Sequence, residues 1–124
     1  MKLTVNNISH IADILAIPFF GLITYYFYKK KKLTDIEFVL LLFNLTCLIL
    51  DSYFTYSYYN NMSMFVNRVS HFGDILAIPF FGLMIYYFSK TNKNNIEKIF
   101  YLFSIIGFIL DSYFSYLFLY DNNL

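Results

Sequence analysis

The chain has 124 residues, of which 59% are hydrophobic, 23% aromatic and only 14% charged, and its nine basic and eight acidic side chains leave a formal net charge of +1. Average usage is about 45–50% apolar and roughly 25% charged, so the polar surface that a soluble enzyme or a disordered tail needs is missing. The near-neutral balance also gives no basic face for nucleic acid, and the single cysteine, Cys47, excludes an internal disulfide and a cysteine-based zinc site.

A membrane span needs about 20 mostly apolar residues, and the chain offers four such stretches. The first, about 8–28, follows Lys2 as a signal peptide would. It is too long for such a core, however, and ends in Tyr25-Tyr26-Phe27-Tyr28 and the lysines Lys29 to Lys32, so it reads as a retained span. The second, about 36–59, opens at Thr34-x-x-Glu37, which has the form of a capping box. The third covers about 69–89, and the fourth, about 96–119, opens at the matching Asn94-x-x-Glu97. Pro18 and Pro79 fall mid-span, where the missing backbone donor is expected to kink each helix without ending it.

These elements are written twice. Asp13–Leu22 recurs unchanged as Asp74–Leu83, 61 positions later, and Ser9-His10 and Tyr25-Tyr26-Phe27 recur at the same offset. Ile49–Phe54 recurs as Ile109–Phe114, 60 positions later. Ten identical residues in a row exceed any composition bias, so the chain reads as a tandem duplication, with units 1–62 and 63–124. The expected fold is all-α: an integral membrane four-helix bundle built from two parallel-oriented transmembrane hairpins. Lys29, Lys30, Lys31, Lys32, Lys90, Lys93 and Lys98 flank the turns inside the hairpins, against Lys2 and Arg68 on the other side. The positive-inside rule then places these turns in the cytoplasm and both termini on the non-cytoplasmic side.

Few ionisable groups lie within the spans. His10 and Asp13 share a helix face at i, i+3, and His71 and Asp74 repeat them. Asp51 and Asp111 occupy the second and fourth spans. At 1.5 Å per residue Asp13 lies about 8 Å and Asp51 about 12 Å from the same side, so the two can meet, as can Asp74 and Asp111. Span 2 carries a polar stripe of Asn44, Cys47, Asp51 and Thr55, and span 4 repeats it as Ser104, Gly107, Asp111 and Ser115. Ala12/Ala16 and Gly73/Ala77 have the small-xxx-small spacing that lets helices approach closely. These stripes point to a shared interior and leave the large aromatics to lipid and the interfaces, where tyrosines anchor.

Three readings of that interior compete. Intramembrane acids and histidines mark proton or cation paths. The same groups serve as polar glue in a structural or assembly protein, in which each contact is worth about 0.6–2 kcal/mol; this is the preferred reading. Histidine and aspartate also suit transition metals, but no HxxxH or cysteine pair supplies a ligand spacing, so no metal and no cofactor is expected. No nucleophile has a histidine partner and no Gly-rich phosphate loop is present, so the chain does not read as an enzyme. The sequons Asn7-Ile8-Ser9 and Asn61-Met62-Ser63 lie close to span ends, where such matches arise by chance in an Asn-rich chain.

The combination Ser-His-x-x-Asp-Ile-Leu-Ala-Ile-Pro-Phe-Phe, then Tyr-Tyr-Phe, a lysine-rich turn and Leu-Asp-Ser-Tyr-Phe, resembles short multi-pass membrane proteins of giant DNA viruses. The resemblance covers nearly the whole chain as two copies of the unit. It implies a viral or host internal membrane, with the bilayer, further copies of the chain or other membrane proteins as partners, and it carries over no active-site residue.

Overall fold

The computed structural model describes residues 4–91 and 94–121; Lys2 and Lys93, used above for orientation, lie outside them. The described chain is helical: α1 (Val5–Tyr28), α2 (Asp35–Tyr59), α3 (Met64–Lys90) and α4 (Asn95–Tyr116), which runs into a π-helical turn at Leu117–Asp121. All four helices are long and apolar enough to cross a membrane.

Caps decide where the helices begin. Thr34 Oγ1 accepts from the Glu37 backbone N–H (3.3 Å) while Glu37 Oε1 accepts from the Thr34 N–H (2.9 Å). Asn94 and Glu97 make the same reciprocal pair at 2.9 and 3.2 Å, as the two spacings predict. The other two starts lie upstream of the expected residues 8 and 69. Thr4 caps α1 by accepting from Asn7 N–H, and Ser63 caps α3 by accepting from Val66 N–H. Hydropathy marks where an apolar run begins, whereas a cap marks where the backbone turns helical, and here the two differ by a turn or less in α1 and more in α3. Asn61 takes φ 59° in the turn before α3, the left-handed conformation that asparagine tolerates better than most residues. Helices α1 and α3 continue through Pro18 and Pro79.

Helix α1 packs along α2 and α3 along α4, and the two pairs meet through α2 with α3 and α1 with α4. Between them lies a core of Phe20, Phe27, Phe43, Phe81, Phe88 and Phe100 with Ile23, Leu40 and Met84. This corrects the expectation that the large aromatics face outward. A phenyl ring fills the interior without carrying a polar group, and the rings interlock edge to face, as Phe43 does with Phe81 (5.5 Å, 85°). The tyrosines divide differently: Tyr25, Tyr28, Tyr56 and Tyr59 are exposed. Only 22–28% of the most apolar stretch of each helix is buried inside the bundle, so the outer surface is itself apolar. Such a surface fits a small multi-pass membrane protein.

The small residues also act otherwise than expected. A Cβ on Gly73 would meet nothing within 4 Å, so this position opens space instead of closing a helix contact. The close approach lies at Gly107, where a Cβ would stand 2.5 Å from the Phe81 ring.

Candidate functional site

His10 and His71 are buried, at 2% and 1% exposure, and their rings lie 5.8 Å apart near one end of the bundle. Each is held by the other half of the chain. His10 Nε2–H donates to Asn67 Oδ1 (2.7 Å) and His71 Nε2–H donates to Asn6 Oδ1 (2.8 Å). Ser9 and Ser70 hydroxyls donate to the backbone oxygens of Asn6 and Asn67, fixing the turn that presents each amide. Tyr58 stacks on His10, and Phe118 lies against His71. With Nε2 committed as donor, the remaining nitrogen of each ring, Nδ1, has no hydrogen-bond partner among the described residues. It faces the carboxyl one turn on, Asp13 Oδ2 at 3.9 Å or Asp74 Oδ2 at 3.6 Å.

His10 and Asp13 lie near each other without a hydrogen bond between them, and the sequence reading passes over Asn6 and Asn67, which lie ahead of the apolar runs and read as flanking loop. A signal was present. The two asparagines stand at the same 61-residue offset as the histidines, so the repeated motif is Asn-x-x-Ser-His-x-x-Asp.

A second crossed pair joins the halves at the other end. Tyr26 donates its hydroxyl to Glu97 Oε2 (2.7 Å), and Tyr87 donates to Glu37 Oε2 (2.6 Å). These are the glutamates of the two capping boxes, so one carboxylate both starts a helix and ties the halves together. Lys30 Nζ lies 3.5 Å from Glu37 Oε2, over the Tyr26 ring. Tyr26 and Tyr87, expected as interfacial anchors, are therefore interior donors.

Between the two ends, Asp13, Asp51, Asp74 and Asp111, one from each helix, line a single cavity of about 360 Å³. The cavity thus joins the two acid pairs that the depth argument treats separately. Ala12, Ala16, Gly73 and Ala77 make room for it, and Cys47 and Gly107 form part of its wall. The rest of each polar stripe also turns inward. Asn44 donates to the Leu40 backbone oxygen and Ser104 to that of Phe100, while the buried Thr55 and Ser115 hydroxyls find no partner among the described residues. Asp51 and Asp111 make no hydrogen bond or ion pair among the described residues. Carboxyls that share one apolar-walled space call for compensating positive charge, whether protons or a cation. Among the described residues no three His, Cys, Asp or Glu side chains converge as metal ligands. The sequon at Asn7 is also engaged, since Asn7 Oδ1 accepts from Tyr58 and Ser9 is buried.

The chain matches no known protein-family model, no curated protein and no solved structure.

Proposed function

We propose that the chain is a small multi-pass integral membrane protein that binds and passes protons or other cations through the cavity ringed by Asp13, Asp51, Asp74 and Asp111. The observation that carries this is the convergence of four carboxyls, one per helix, on one cavity. Ionisable groups that face a cavity inside a membrane bundle belong to ion and proton pathways. Polar glue accounts for the histidines, each of which has an asparagine partner, but not for Asp51 and Asp111. A parallel arrangement of the two hairpins is supported by the crossed contacts, Asn with His from both units at one end and Tyr with Glu from both units at the other. Lys29 to Lys32, Lys90 and Lys98 support cytoplasmic turns by the positive-inside rule, and the resemblance to giant-virus proteins supports a viral or host internal membrane. A cysteine introduced by Lys31→Cys is expected to react with an impermeant thiol reagent from the cytoplasmic side only, and one introduced by Asn61→Cys from the opposite side only; the reverse pattern overturns the orientation.

Reconstituted in liposomes, the protein is expected to carry a proton or cation flux above that of empty vesicles, and Asp51→Asn with Asp111→Asn to reduce it about tenfold or more. Flux equal to that of empty liposomes, from well-folded protein between about pH 5 and 8, overturns the reading. A structural or assembly role would then stand, favoured by the two crossed pairs that lock the halves together. Under it, Asp13→Asn and Asp51→Asn lower expression or assembly with no flux to lose.

A further inference from the structure

The cavity reaches the outer surface most openly along α1 and α4, with Leu50 of α2, 41% exposed, also in its lining. Leu15 of α1 and Ile99, Leu102 and Ile106 of α4 line it, yet the same residues are 65%, 48%, 57% and 54% exposed on the outer surface. They form a mouth between α1 and α4. The matching positions on the opposite face, Leu76 of α3 and Val39, Leu42 and Thr46 of α2, do not line it. The mouth carries no polar group. Inside, the polar lining consists of the four aspartates with Ser70 and Cys47. Behind two of those aspartates stand the unpartnered Nδ1 atoms of His10 and His71, almost wholly buried and aimed at the cavity-lining carboxyls.

A hydrated inorganic ion finds no ligand along an aliphatic mouth that faces lipid. A molecule with an apolar body and a positive centre fits both parts, since its body matches the walls and its charge meets the carboxyls. The volume, about 360 Å³, falls within the range of small-molecule pockets, about 300–1,000 Å³. We propose that the cavity takes an amphipathic organic cation, such as a protonated or quaternary amine, which reaches it sideways from the bilayer between α1 and α4. This rests on the reading of the aspartates as a cation site and names what that site holds.

The test is equilibrium binding of radiolabelled tetraphenylphosphonium to the full chain in detergent, counted against empty micelles. Saturable binding is expected, displaced by unlabelled tetraphenylphosphonium but not by sodium, potassium or the neutral triphenylphosphine oxide. Asp51→Asn with Asp111→Asn is expected to weaken it about tenfold or more. Leu102→Trp, at an exposed position that tolerates bulk, fills the mouth while keeping every carboxyl, and is expected to weaken binding as well; it serves as the probe if the aspartate variant does not fold. Equal competition by the neutral analogue, or binding untouched by Leu102→Trp, overturns the proposal. Displacement by potassium or sodium, or absent tetraphenylphosphonium binding alongside an aspartate-dependent flux, overturns it and leaves the cation reading standing. Absence of both binding and flux overturns the two together.

Discussion

Asn67→Ala is expected to destabilise the bundle by about 1–3 kcal/mol, the cost of leaving a buried donor without its acceptor. The donor is His10 Nε2–H, inside a side chain only 2% exposed, with Tyr58 stacked on its ring. Asn6→Ala should cost the same through His71, and the double variant should unfasten one whole end of the molecule. Because the two bonds cross between the halves, the loss should appear as separation of α1 from α3 and not as fraying of one helix. Polar contacts between membrane helices average only about 0.6 kcal/mol by double-mutant cycles, so the decisive measurement is the cycle itself. Asn67→Ala, His10→Ala and the pair should give a positive coupling energy in detergent unfolding. Additive losses would show that the amide and the ring act independently, and would remove the clasp as a source of stability.

Gly107→Ala should rank with it. The added Cβ would lie 2.5 Å from Phe81 Cε1 and 2.6 Å from Phe81 Cζ, and Phe81 is itself 3% exposed among Phe20, Phe43 and Phe103. The ring must shift against three neighbouring rings to admit the Cβ, and overpacking of this kind costs about 1–3 kcal/mol. Gly73→Ala is the control, since its Cβ would meet open space, and removing a glycine from a helix interior favours the folded state by up to about 1 kcal/mol. Thermal unfolding in detergent should therefore move in opposite directions for the two substitutions. A Gly107→Ala protein as stable as the unaltered one would mean that α4 can shift away from Phe81.

Much of this was readable beforehand, where the signal is local. The four helices follow from apolar runs of span length, and the starts of α2 and α4 from Thr34-x-x-Glu37 and Asn94-x-x-Glu97. The inward direction of Asn44, Asp51, Ser104 and Asp111 follows from helical spacing. What stayed hidden depends on the other half of the chain. Asn6 and Asn67 look like flanks until a histidine from the far unit reaches them, and Tyr26 and Tyr87 look like anchors until Glu97 and Glu37 accept their hydrogen bonds. The small-xxx-small spacing was visible at Gly73/Ala77, but spacing cannot say whether a neighbour fills the gap or leaves a cavity. Composition treats phenylalanine and tyrosine alike as aromatic, whereas burial separates them by the hydroxyl that must find an acceptor. The π-helical turn at Leu117–Asp121 had no mark in the sequence.

The crossed pairs have a consequence for how the interface is built. In each, a residue of one unit meets its complement in the other, and the reverse contact is made by the matching residues: Asn6 with His71 and Asn67 with His10, Tyr26 with Glu97 and Tyr87 with Glu37. That is the rule of an isologous contact, in which one self-complementary patch meets itself across a two-fold axis. Each unit alone carries both members of both pairs. Each half therefore presents the same self-complementary set of groups to the other, and the turn at residues 60–63 connects the two.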